Sequence, residues 1–270
     1  VARAGLLKGF NGMAPSDEVV GNILAFRAPV AGGNLRQVAR FGRPVSGVLF
    51  DMGGVLYDET TWRRWLLRLL RQLGIAGDHR DFFRAWDRDF QGQVHRGERS
   101  FCDAFRAFLR SVGLTQPQCD EVEASCRAQR RMFDTGLRLL PGVKSTLIRL
   151  GQLGFVLGAV TDSEYSAETL RGRLDQLGLE DLFSAVVSSF DLRRTKPDPA
   201  CYLAALESMR LPAADVAFVG HEAAELAGAA LVGMPTIACN FEASAQADVF
   251  ISRFEDLLEV VQRRTYAAAG

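Results

Sequence analysis

Five short apolar runs, rich in β-branched residues and separated by stretches of helical periodicity, constrain this chain more than any other feature. Val45 to Phe50 stops at Asp51 and is followed at once by Gly53-Gly54; Phe155 to Val160 stops at Thr161; Ala185 to Val187 stops at Ser188. Val216 to Val219 stops at Gly220, and Thr236 to Ala238 follows Gly233-Met234-Pro235. Runs of this length bounded by turn residues read as buried strands. Between or after them, Gly142 to Leu153, Ser166 to Leu177, Pro199 to Met209 and Glu222 to Val232 carry helical spacing. Strands alternating with helices at this interval predict an α/β fold with a Rossmann-like parallel sheet covered on both faces. In such sheets ligands bind at the carboxyl ends of the strands.

One interval breaks the rhythm. From about Thr60 to Thr135 there is helical periodicity without a strand: Trp62, Leu66, Leu69, Leu70 and Leu73 share one helix face, and Phe101, Phe105, Phe108 and Leu109 another. The expected organisation is therefore an arm over 1–46, an α/β core over 47–58 and 136–270, and an inserted helical subdomain over 59–135. At helical spacing the aromatic stripe Phe82, Phe83, Trp86 and Phe90 reads first as core. Trp62, Trp65, Trp86 and Arg96 are the insert's candidate substrate contacts.

Composition narrows the function classes. The chain has 270 residues and 48% hydrophobic content, enough for a substantial core. Its 32 basic and 32 acidic residues balance, so no overall field draws in nucleic acid or an anionic membrane. No apolar run approaches the roughly 18 residues of a membrane span. The five cysteines show no metal-binding spacing. Reduced thiols and the lack of an export pattern point to a cytoplasmic protein. The arm over 1–46 is locally basic, with Arg3, Lys8, Arg27, Arg36, Arg40 and Arg43 against Asp17 and Glu18. It reads either as a poorly ordered tail or strand laid on the core, or as a docking segment for a protein partner.

Four segments carry the chemistry, each just past a predicted strand or at a helix start: Phe50-Asp51-Met52-Gly53-Gly54, Val160-Thr161-Asp162-Ser163, Lys196-Pro197-Asp198-Pro199, and Val219-Gly220-His221 running on to Glu225. A carboxylate at a strand end, facing a crevice, can attack phosphorus or carbon and divide one hard displacement into two easier ones. A lysine nearby would offset the charge that crowds such a site. In this order the segments resemble motifs one to four of the haloacid dehalogenase-like (HAD) superfamily, and the insert resembles that family's C1-type helical cap. The resemblance spans nearly everything from Val45 onward. It implies a hydrolase acting on a small, phosphorylated molecule, with Asp51 as nucleophile, Thr161 and Lys196 assisting, and Gly53, Gly54 and Asp162 at the substrate. It also implies Mg2+, held by Asp51, the Gly53 carbonyl and Glu225.

Two positions depart from the family's phosphatases. Two residues after the nucleophile, where those enzymes carry an Asp that acts as acid and base, stands Gly53; glycine supplies neither proton nor base. After Gly220, where they carry an acidic Mg2+ ligand, stands His221. Imidazole is a softer donor than Mg2+ prefers, but it can move protons near neutrality and so replace the missing acid-base group. Three functions remain open: a phosphate-monoester hydrolase with weakened acid-base and metal sites, a catalytically degenerate member that binds a ligand or protein, and a metal-independent hydrolase of the dehalogenase kind.

Overall fold

The computed structural model describes residues 44–74, 79–179 and 181–262. The docking role considered for 1–46 thus lies outside the described residues, apart from 44–46. In chain order the elements are β1 (Gly47–Phe50), α1 (Thr61–Gln72), α2 (His79–Trp86), α3 (Phe101–Ser111), α4 (Gln116–Thr135), α5 (Val143–Gln152), β2 (Val156–Thr161), α6 (Ala167–Gln176), β3 (Phe183–Ser188) and α7 (Ser189–Leu192). Then come α8 (Pro199–Met209), β4 (Val216–Gly220), α9 (Ala223–Leu231), β5 (Thr236–Cys239), β6 (Val249–Ile251) and α10 (Asp256–Gln262). The described residues divide into two compact units, Glu59–Gly136 in one and residues 44–58 and 137–262 in the other.

The α/β unit is a six-stranded sheet in the order β3-β2-β1-β4-β5-β6, with every neighbouring pair parallel. All four residues of the central strand β1 are buried, because helices cover both faces. Val48 and Phe50 pack with Val143, Leu147 and Leu150 of α5, Leu170 and Leu174 of α6, and Leu257 of α10. Leu49, pointing the other way, packs with Tyr202, Leu206 and Met209 of α8 and Leu226 and Ala229 of α9. The split follows the period-two alternation of a strand. A fully buried Leu or Phe contributes roughly 1.5–3 kcal/mol, so the strand that carries Asp51 is anchored from both sides. The sheet runs outward from β1 through β2 and β3 on one side and through β4, β5 and β6 on the other. The carboxyl end of β1 therefore lies at the point where strand order reverses, the usual ligand position in open α/β sheets.

β6 escaped the sequence reading, since it is three residues long and its middle residue, Phe250, is exposed. The other strands match the predicted runs to within a few residues at their ends. Just beyond β1 the backbone is clamped to the chain that follows Gly136: Tyr57 bridges both Gly53 and Leu139, Leu140 N donates to Leu56 O at 2.9 Å, and Asp58 N donates to Arg138 O at 3.2 Å.

The helical unit has its own core, in which Leu66, Leu70, Phe83, Trp86, Phe105, Phe108, Leu109 and Val122 are buried. Helix α2 runs through a π-helical turn, Asp87–Gln91, into a short helix, Gly92–His95. Helix α3 begins at Ser100, whose side chain accepts from Asp103 N. Trp86 is edge-on to Phe101, Phe105 and Phe108 and 2% exposed; it is a core residue rather than a substrate contact. No helix among the described residues is long and apolar enough to cross a membrane.

Candidate active site

Asp51 is the first residue beyond β1, and its N–H continues the ladder to Val219 O at 2.9 Å. The turn after it needs Gly54, which adopts φ +70°, a conformation costly for residues with a Cβ. From the neighbouring strand end, Asp162 accepts a hydrogen bond from Lys196 N at 3.0 Å. This fixes the loop before α8, which Asp198 caps by accepting from Ala200 N at 2.9 Å. Lys196 then reaches the centre of the site. Its Nζ lies 2.6 Å from Asp51 Oδ1 and 2.5 Å from Glu225 Oε2, with the lysine side chain 6% exposed.

Glu225 is placed by the start of α9. Its Oε1 accepts from His221 N at 2.5 Å and from Glu222 N at 2.9 Å, satisfying donors that a helix start leaves open. The carboxylate can fold back this far because residue 220 is glycine: a Cβ there would meet Glu225 Oε1 at 2.6 Å. His221 Nδ1 lies 3.3 Å from Asp51 Oδ2 and 3.2 Å from Glu225 Oε1. The ring is turned so that neither contact has hydrogen-bond geometry, leaving Nδ1 buried between two carboxylates. On the far side of the ring, Nε2 lies 3.7 Å from Glu222 Oε1.

These distances decide the charges. Burial would lower the Lys196 pKa, but Asp51 and Glu225 outweigh it and raise it well above its ordinary value. Burial would likewise lower that of His221, and the charges of the same two carboxylates raise it. Burial would raise that of Glu225; Lys196 and His221 reverse this and hold it far below the usual carboxylate range. Asp162 is pushed up to about 6 by burial, partly countered by Lys196. A cluster of two carboxylates, an ammonium and an imidazolium is close to neutral, which is how charges are tolerated when buried.

Asp51, Lys196, Glu225 and His221 are thus in direct contact, with Asp162 joined to them through the Lys196 backbone. Gly54 lies beneath the His221 ring, and Gly53 forms the bridge to Tyr57. Thr161 is buried at the end of β2, next to β1 in the sheet, and no hydrogen bond joins it to Asp51. Asp51, His221 and Glu225 bring one oxygen or nitrogen atom each within 4.8 Å of one another, the spacing of a metal-ligand group.

Two supporting residues were not read from the sequence. Asn240, at φ +52° just after β5, donates from Nδ2 to Gly54 O at 3.0 Å and holds the turn beneath His221. An Asn at a strand end is a recognisable signal for such a conformation. Tyr202 donates its hydroxyl to Glu225 O at 2.7 Å; its position on an apolar helix face gave no hint of this.

Comparison with known proteins agrees with the geometry. Residues 45–233 match the family model described as haloacid dehalogenase-like hydrolase. The phosphoglycolate phosphatase of Yersinia pestis is 25% identical over 232 residues, covering 81% of this chain and 94% of that protein. The phosphoglycolate phosphatase of Xanthomonas campestris pv. campestris is 30% identical over 224 residues, covering 78% and 94%. A crystal structure of a 2-haloacid dehalogenase from Pseudomonas syringae pv. tomato shares 26% identity, with a TM-score of 0.56 and coverage of 81% and 99%. The chain belongs to the haloacid dehalogenase-like hydrolase family.

Proposed function

We propose that this hydrolase cleaves a small phosphate monoester through an aspartyl-phosphate on Asp51. The observation that carries the reading is the buried Lys196 ammonium, held between Asp51 Oδ1 and Glu225 Oε2. It orients the Asp51 carboxylate and leaves Oδ2 without a hydrogen bond, and it supplies positive charge where a phosphoryl group would add negative charge. The relatives named phosphoglycolate phosphatase support a phosphorylated substrate of small size.

Asp51 Oδ2 attacks phosphorus, the bond from phosphorus to the leaving oxygen breaks, and that oxygen departs with the electron pair. Water then attacks phosphorus, releasing phosphate and restoring the carboxylate. Thr161 and the backbone N–H of Gly53 are assigned to the phosphoryl oxygens, Gly54, whose N–H donates to Tyr57 O at 3.0 Å, to shaping the turn, Asp162 to holding Lys196 in place, and the helical unit to substrate choice as a cap. Gly53 cannot protonate the leaving oxygen. The His221 ring stands beside Asp51 Oδ2 and Glu225 Oε1. A general acid contributes about 10²- to 10⁴-fold to rate, so esters whose leaving oxygen needs no proton are favoured.

The residues do not fit Mg2+, the family's usual ion. Mg2+ demands an octahedral set of oxygen ligands. Here Glu225 Oε1 is committed to two backbone N–H groups, Oε2 to Lys196, and an imidazole stands at the third corner.

Hydrolysis of an aryl phosphate by the purified chain, beside Asp51→Asn, tests the reading. Turnover that exceeds that of an alkyl phosphate and disappears in the variant is expected; equal background in both proteins refutes it and favours a binding role. Gly53 and the likeness to a 2-haloacid dehalogenase support one second reading, displacement of halide, which needs no acid. Halide release from a 2-haloacid, lost in Asp51→Asn, would establish that reading instead.

A further inference from the structure

We propose that the His221 imidazole fills the place between the reacting carboxylate and Glu225 that a divalent cation would need, so that the site is closed to metal. The inference deepens the reading of Asp51 as nucleophile and rests on it. Four features of the site carry it.

The ring nitrogen is already between the two carboxylates, at 3.3 Å from Asp51 Oδ2 and 3.2 Å from Glu225 Oε1. Glu225 Oε1, the oxygen facing it, accepts two backbone N–H groups. That uses both of its lone pairs, so a cation could take this oxygen only by breaking the cap of α9. Asp51 has the Lys196 ammonium on its other oxygen, so Oδ2, the oxygen facing the ring, is the one carboxylate oxygen of the pair without a hydrogen bond.

The seat of the ring is also built for it. A Cβ on residue 54 would lie 3.1 Å from His221 Nε2 and 3.3 Å from Cδ2 and from Cε1. These nearly equal distances mean that the ring lies over the glycine, with no room for a side chain beneath it. Asn240 fixes the Gly54 carbonyl, and Glu242 N donates to His221 O at 2.9 Å. Position, floor and backbone of the histidine are each held by a separate contact.

The experiment titrates Mn2+ into the full chain and follows the free ion by electron paramagnetic resonance, for the wild type and His221→Asp. The wild type should leave the free-ion signal unchanged at millimolar Mn2+, and the variant should bind one ion per chain at least about tenfold more tightly, since it adds a charged oxygen ligand. One Mn2+ bound per wild-type chain overturns the proposal, as does a folded His221→Asp that binds none. If His221→Asp fails to fold, His221→Asn, of similar size and with an oxygen donor, takes its place, and the same two outcomes decide. Binding is read without substrate. Failure of the phosphatase reading would show as absent turnover on an aryl phosphate, and failure of this proposal as bound Mn2+.

Discussion

Replacing Glu225 by Gln isolates the central ion cluster while keeping the side chain's shape. The amide offers one oxygen where the carboxylate offered two. If that oxygen stays on the backbone N–H groups of His221 and Glu222, the NH2 group faces the Lys196 ammonium; if it turns to Lys196, the NH2 group faces the two N–H groups. Either way buried donors oppose each other. Removing one partner of a buried ion pair costs about 3–5 kcal/mol. Lys196 keeps Asp51 at 2.6 Å, which places the loss near the lower end, about 3 kcal/mol. At about 2–4 °C per kcal/mol for a domain of this size, Tm should fall by about 6–12 °C at pH 7. The pH dependence gives a second check. The folded pKa of Glu225 is depressed below its ordinary value of 4.5, so its contribution is complete above that value and is lost as pH falls toward the folded one. The gap in Tm should therefore be full at pH 7 and narrower at pH 3.5, measured by calorimetry on both proteins. A variant as stable as the wild type at pH 7, or a gap that does not change with acid, would refute the argument.

Two further substitutions probe the supports. Gly54→Ala forces a Cβ into φ +70° and within 3.1 Å of the His221 ring; the left-handed backbone alone costs about 1–2 kcal/mol, and thermal unfolding should report at least that loss. Tyr202→Phe removes the hydroxyl that donates to Glu225 O in the buried face of α8 and should cost about 1–2 kcal/mol in urea titration, with the slope of the transition unchanged.

The parts of the molecule that were legible in the sequence are those where local chemistry and burial agree. β1 is apolar at every position because both of its faces are covered, and it stops at Asp51 because the sheet opens there. Helix α8 was legible to its ends, with Pro199 at its start and Met209 as its last residue. β6 was not, since an edge strand with an exposed Phe250 has no continuous apolar run. The same holds for α10, a seven-residue helix near the chain's end. At the site, Asp51, Lys196 and Glu225 could be picked out, each standing in a short recognisable segment. The relation between His221 and Gly54 could not, because it joins residues 167 positions apart through a packing contact that leaves no local pattern. Asn240 and Tyr202 act on backbone carbonyls, and a carbonyl has no residue identity to read.

The clamp at Tyr57, Leu139 and Leu140 has a consequence for how this architecture tolerates change. Because the chain leaves the α/β unit at Asp58 and re-enters beside it at Arg138, joined by a hydrogen bond of 3.2 Å, whatever lies between is a closed loop whose two ends meet at this pair of residues. The entropy of closing a loop rises only with the logarithm of its length, about 0.6 kcal/mol for each doubling. A segment closed at this point can lengthen, shorten or be exchanged for another at little cost to the sheet, while Asp51 stays in register at the end of β1.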